Sequence, residues 1–174
     1  MNRVELMIRG DQNIANADAL NSYLIFDCAH FDPSPYYELM NQPGIEVLSL
    51  FKNTVQEIET LELSPILIKL TEETPEKFIA QIRAYEKEYL GSILWLWSEM
   101  TISSLNNQLQ KLLFAKLNGH DVLVRFYDSR CIVDRLKDFQ RKAYTKAIIQ
   151  NIPVWAFYSN EKYHYLWSTE ESER

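Results

Sequence analysis

The sequence predicts an α/β fold: a single domain with a mixed, mainly parallel sheet flanked by helices and closed by a C-terminal β-hairpin. Three observations lead there. Short apolar runs alternate with stretches of helical period along the 174 residues, the order expected of strands joined by crossover helices. The run Ser92 to Ser98 is apolar almost throughout, as a central strand covered on both faces would be. Val154–Tyr158 and Tyr163–Trp167, on either side of Ser159–Lys162, read as two strands of a hairpin. With 47% hydrophobic and 13% aromatic residues, a chain of this length buries about 70% of its unfolded surface in one core. Residues 1–174 are therefore expected to form one domain, with 168–174 as a frayed, glutamate-rich tail.

Taken in order, Tyr23 to Cys28 is a short apolar strand, Tyr36 to Met40 a turn or two of helix, and Glu46 to Phe51 a second strand. Pro65 to Leu70 is the next strand. Thr74-Pro75-Glu76 then offers a cap, a residue fitted to the first helical position and an acidic group for the positive end of the dipole. Phe78, Ile82, Tyr85 and Tyr89 form the apolar stripe of that helix. After strand Ser92–Ser98, Thr101 to Leu117 reads as an amphipathic helix with Leu105, Leu109, Leu112 and Leu113 on one face, closed by Asn118-Gly119. A strand over Val122 to Tyr127 completes a strand, helix, strand unit. From Ser129 to about Ile149 a long helix is expected, with Ile132, Leu136, Phe139, Ala143 and Ala147 inward and Arg130, Lys137 and Arg141 on the opposite side.

Charge limits the functional classes. The chain carries 24 acidic and 18 basic residues, yet 129–150 holds six basic against two acidic. One basic helix on an acidic body is the reverse of a nucleic-acid binder, so a solvated face or a contact with an acidic protein is expected instead. No apolar stretch has the length of a membrane span, and the first residues lack a signal peptide's apolar core, which points to a cytoplasmic protein. Cys28 and Cys131 have neither metal-site nor disulfide-framework spacing and read as buried thiols.

Motifs for common chemistry are missing. The four glycines are too far apart for a phosphate loop. The histidines His30, His120 and His164 are scattered, with no zinc-binding spacing, and no serine-hydrolase elbow occurs. Neither cofactor nor metal is expected. Asp27-Cys28-Ala29-His30-Phe31-Asp32, at the carboxyl end of the first strand, is the one cluster that would suit an enzyme, a hydrolase or transferase using Cys28 and His30. Against it stands the simpler reading of a capping Asp27 and an inert Cys28.

Leu123-Val124-Arg125-Phe126-Tyr127-Asp128-Ser129-Arg130 is the most informative segment. It puts an arginine inside an apolar run, where the guanidinium needs a fixed acidic or carbonyl partner, with Asp27 and Glu99 as candidates. Asp128 stands where it can cap the following helix. Tyr127 and Trp97 either line a groove or belong to the core. Together with Trp97-Ser98, the Ser103-Ser104-Leu105 helix, Gly119, the strand Tyr23–Ala29 and Pro153-Val154-Trp155, this segment resembles the adaptor-chaperones of the bacterial type VI secretion system. The resemblance spans roughly 23–155; its most specific part is Arg125-Phe126-Tyr127-Asp128, and Ser129 stands where proline is common.

That resemblance implies a cytosolic adaptor-chaperone that binds an effector toxin through its N-terminal segment and helps load it onto the VgrG spike protein, without a cofactor or a reaction. It makes Asp27, Trp97, Ser98, Arg125, Tyr127, Asp128 and Arg130 the fold-defining residues that border a binding surface. A toxin-neutralising immunity protein is the other non-enzymatic reading. For partner contact, the hairpin stands out: 155–167 contains six of the 22 aromatics. Trp155, Phe157, Tyr163, Tyr165 and Trp167, with the basic residues Arg130, Lys137 and Arg141, are the expected partner-binding surface, unless the aromatics are core.

Overall fold

The structure, a computed structural model, describes residues 19–168. Its strands are β1 (Asn21–Asp27), β2 (Val47–Ser49), β3 (Pro65–Leu70), β4 (Ile93–Ser98), β5 (Phe114–Leu117), β6 (His120–Leu123), β7 (Val154–Ser159) and β8 (Lys162–Trp167). Six of them form one sheet in the order β2-β3-β1-β4-β7-β8, and β5 and β6 form a separate two-stranded ribbon. The helices are α1 (Tyr36–Met40), α2 (Glu57–Thr60), α3 (Glu76–Glu88), α4 (Ile102–Gln110), α5 (Ile132–Gln140) and α6 (Ala143–Ile149).

The mainly parallel sheet expected from the sequence is not what forms: every neighbouring pair is antiparallel. The cause is where β1 sits. β3 and β4 run in the same direction and are joined by a crossover through α3, but β1 lies between them and pairs antiparallel with both. The strand, helix, strand order is therefore real while the adjacency it suggests is not.

The second expected crossover fails for a local reason. Thr101 does cap α4, accepting the Ser104 N–H at 3.3 Å, but the helix stops at Gln110. Phe114–Leu117 instead turns back on His120–Leu123, with Asn118 at φ 50° and Gly119 at φ 82°. These are the left-handed residues of a two-residue hairpin turn, for which Asn-Gly is the preferred pair. The Asn118-Gly119 pair thus ends no helix, and 124–131 is an irregular segment rather than a strand.

Helices cover both faces of the sheet. On one, Tyr23, Ile25, Leu94, Leu96 and Trp155 pack against Leu105 and Leu109 of α4, Ile132, Leu136 and Phe139 of α5, and Ile148 and Ile149 of α6. On the other, Leu24, Phe26, Ile68, Trp95 and Trp97 pack against Phe78 and Ile82 of α3 and Tyr36 and Leu39 of α1. This explains the unbroken apolar run of β4, buried at all six positions. Two-sided coverage, not parallel pairing, is what such a run reports. The long basic helix is two helices. Lys142 is extended at φ −114°, ψ 127°, which resets the phase, so that Ile148 and Ile149 turn inward while Ala143 and Ala147 are exposed. Ser168, expected in the frayed tail, is buried and donates its N–H to Pro153 O at 3.1 Å; 169–174 lie outside the described residues. No described helix is long and apolar enough to cross a membrane.

Candidate functional site

The carboxyl end of β1, the start of β4 and the segment 124–131 meet at one end of the sheet. β1 extends its pairing through Asp27, whose N–H donates to Ser92 O at 2.8 Å. The Asp27 carboxylate then turns the chain: Oδ1 accepts the Ala29 N–H at 3.1 Å and caps the 3-10 turn Cys28–His30. Its other oxygen, Oδ2, accepts Nη2 of Arg125 at 2.5 Å. Asp27 is the expected partner of Arg125, but the expected burial is one-sided, since the Asp27 side chain is 0% exposed and that of Arg125 44%. Glu99, the other candidate, is exposed at the far end of β4.

A second ion pair lies beside the first. Arg130 grips Asp128 with two parallel bonds, Nε to Oδ1 at 2.9 Å and Nη2 to Oδ2 at 2.6 Å, the fork geometry that guanidinium and carboxylate share. Oδ1 also accepts the backbone N–H of Arg130 at 3.1 Å. Asp128 therefore accepts an N–H two residues on, as expected, but it caps a turn; α5 begins only at Ile132, with Cys131 at its N-cap. Burial alone would raise the Asp128 carboxyl, yet the bonds and charge of Arg130 outweigh it and hold the group below the usual carboxylate range.

Gly91 is what lets this pair dock. Its φ is +96°, and a Cβ there would stand 2.8 Å from Arg130 Nε and 2.9 Å from Asp128 Oδ1. The Gly91 carbonyl also accepts the Ser129 N–H at 3.3 Å. Nothing in the sequence around Gly91 marks it for this role. Tyr127 is buried behind the pairs, edge-on to Phe126 at 5.5 Å, with the Arg125 guanidinium 6.0 Å from its ring centre. Burial, and after it the charge of Asp27, pushes its phenol up.

Thus Asp27, Arg125, Tyr127, Asp128 and Arg130 come together as the sequence grouped them. Trp97 and Ser98 do not join them, because they occupy the opposite end of β4, where Ser98 Oγ donates to Asn151 O at 2.6 Å. Cys28 is buried, and burial followed by the Asp27 charge pushes its thiol up, against a weaker pull from a Ser34 hydrogen bond. Both effects disfavour the thiolate that a nucleophilic cysteine needs. His30 Nε2 faces Asp27 Oδ2 at 3.4 Å, a contact without hydrogen-bond geometry. Cys131, expected to be buried, is exposed. Among the described residues no group of three or more His, Cys, Asp or Glu side chains is placed to hold a metal ion.

The hairpin forms where expected, but its aromatics do not make one surface. Trp155 and Phe157 pair with Leu166 and His164, while Tyr163, Tyr165 and Trp167 pair with Tyr158, Ala156 and Val154. Directly paired residues share a face, so the two aromatic sets lie on opposite sides of the sheet. Trp155 is 0% exposed in the core beneath α4, α5 and α6. Tyr163, Tyr165 and Trp167 are half-buried on the α3 side. Arg130, Lys137 and Arg141 are exposed, yet α5 packs on the Trp155 side, away from these tyrosines, and Arg141 is tied to Asp138 at 3.1 Å. The expected composite of all five aromatics with that basic face is therefore not assembled.

The α3 side also has buried polar groups. Glu86 is 3% exposed; Oε1 accepts the Trp95 indole N–H and Oε2 the Tyr163 hydroxyl, each at 2.6 Å. Burial raises its carboxyl, against the pull of those two bonds. Its spacing of four from Ile82 places it on the apolar stripe of α3, which was the available signal. Beside it a cleft of about 380 Å³ is lined by Arg83 and Lys87 of α3 and by Tyr158, Glu161, Lys162, Tyr163 and Tyr165 of the hairpin.

A family model described as a domain of unknown function (DUF4123) matches residues 22–146. The match contains both ion pairs and Gly91 and stops short of the β7–β8 hairpin. No curated protein and no solved structure matches the chain.

Proposed function

The chain belongs to the DUF4123 family, and from that premise we propose that it is a cytoplasmic adaptor-chaperone of a type VI secretion system, holding an effector toxin and helping to load it onto the VgrG spike protein. The observation that carries the reading is the placement of the Arg125–Arg130 segment, on which the resemblance to these adaptors rests, inside the matched region. There it ties together strand ends far apart in sequence. Arg125 reaches Asp27 across 98 positions, and Asp128 and Arg130 fill the space left by Gly91. These groups satisfy one another, which suits a frame that presents surfaces to a protein partner.

The test is co-expression of the tagged chain with an effector and a VgrG spike protein of a type VI secretion system from the same source. The reading expects a complex of chain and effector that forms through the effector's N-terminal segment, and loss of soluble effector when the chain is omitted. A chain that instead bound and silenced the toxin domain alone would be an immunity protein, and the proposal would fall.

A further inference from the structure

Of the two edges of the six-stranded sheet, only one is blunted. β2 has three residues, and Gln110 of α4 crosses beside it to donate to Leu50 O at 3.1 Å and Lys52 O at 2.7 Å. β8, the other edge, has six residues and, among the described residues, pairs on one side only. The turn between β7 and β8 is Asn160–Glu161, at φ 51° and 62°, so Ser159 and Lys162 are the hydrogen-bonded pair that closes a two-residue hairpin. Hydrogen-bonded and non-hydrogen-bonded pairs then alternate. Tyr163, Tyr165 and Trp167 fall in the second class, with backbone N–H and C=O groups pointing away from β7 and without a backbone partner among the described residues. An open edge of this kind is a template for another strand.

The surroundings state what kind of strand. The side chains of the same three residues lie on the α3 side, and the cleft there is lined by Arg83 and Lys87 of α3 and by one acidic residue, Glu161, on a chain of net charge −6. Among the described residues neither of these two cations makes an ion pair within 4.0 Å, whereas Arg125, Arg130 and Arg141 all do. Arg83 Nε is buried without an acceptor among the described residues. The buried Glu86 beside them does not cancel this charge outright, because burial favours its neutral form. We propose that β8 takes an extended, acidic segment of a partner protein as a seventh strand, with carboxylates on its α3-facing side reaching Arg83 and Lys87. Backbone pairing would supply affinity and the cleft the preference for acidic side chains, the division of labour usual in strand addition.

The proposal deepens the adaptor reading, and rests on it, by naming the surface that holds the effector. The experiment uses the full chain with the effector tested in that co-expression. Hydrogen exchange is measured on the free chain and the complex, and affinity is measured for the wild type and Lys87→Glu, a change at an exposed position, with the melting temperatures of the two proteins compared and expected to agree. The expected result is slowed exchange at the amides of Tyr163, Tyr165 and Trp167, binding weakened at least about tenfold in the variant, and wild-type affinity that falls with added salt. A complex with unchanged exchange along β8 and wild-type affinity in the variant overturns this proposal and leaves the adaptor reading standing. Absence of any complex overturns both.

Discussion

Asp27 and Arg125 are unequal partners: the carboxylate is fully buried, while the guanidinium that meets it at 2.5 Å keeps 44% of its side chain in water. Removing each should therefore cost differently. Among the described residues, Arg125→Ala leaves a buried carboxylate with only the Ala29 N–H and the His30 imidazole at 3.4 Å, which lacks hydrogen-bond geometry, and is expected to destabilise the fold by about 3 kcal/mol. Asp27→Asn frees a guanidinium already half in solvent and should cost less. In the double variant the charge is gone from the buried site, so Asp27→Asn/Arg125→Ala should be more stable than Arg125→Ala alone. Urea unfolding of the four proteins checks this, and strictly additive losses would show that the two groups do not depend on each other.

Gly91→Ala is expected to cost about 2 kcal/mol or more, for two separable reasons. A φ of +96° is strained for any L side chain, and the new Cβ would press on Arg130 and Asp128. Adding Arg130→Ala removes one of the two colliding side chains and should return part of the loss. If the pair of substitutions is no better than Gly91→Ala alone, backbone strain accounts for the whole effect.

The Asp128 carboxyl is held below its ordinary range, so the sign of its pH dependence is fixed. A lowered native pKa contributes stability above the unfolded value, about 3.9, which is lost as pH falls through the native one. The stability gap between wild type and Asp128→Asn should be widest above about pH 5 and narrow steadily below pH 4. Chemical unfolding from pH 7 to pH 3 measures it; a gap independent of pH would mean that Arg130 does not favour the ionised form.

Much of this site was legible because its chemistry is local in sequence and exceptional in type. An arginine in an apolar run needs a carboxylate, and Asp27 at a strand end was one of two candidates. The topology was less legible because pairing partners are set by distant residues. Nothing in Pro65–Leu70 or Ile93–Ser98 tells that Asn21–Asp27 will slide between them. The Asn118-Gly119 turn was misread because the same dipeptide ends helices and closes hairpins, and the Leu-rich stretch before it favoured the helix. The break at Lys142 carries no glycine or proline to announce it.

The split of the hairpin aromatics separates core from surface. Trp155, 0% exposed beneath α4, α5 and α6, should behave as a core residue, and Trp155→Ala is expected to cost about 3–5 kcal/mol. Tyr165, half-buried beside Trp97 at 6.5 Å, leaves no enclosed cavity when cut back, and Tyr165→Ala should cost well under half as much. Equal losses in thermal or urea unfolding would place Tyr165 in the core as well and remove it from any docking surface.

Glu86 provides the sharpest test of the α3 side. It accepts from Trp95 and Tyr163 at 2.6 Å each, so Glu86→Ala strands a buried indole N–H, at about 1–3 kcal/mol for that group alone. Glu86→Gln keeps both contacts, because the amide oxygen can accept from Trp95 while the amide nitrogen donates to the Tyr163 hydroxyl. Burial raises the carboxyl of Glu86, and a raised native pKa means stability that is complete below the unfolded value, about 4.3, and is lost as pH rises through the native one. The glutamine variant has no such loss. Its stability relative to wild type should therefore improve as pH increases from about 4 to 8, and the hairpin should stay docked, as Trp95 fluorescence would report. Parallel stability curves for the two proteins across that range would show that Glu86 stays ionised in the fold without penalty, with the neighbouring cations compensating it.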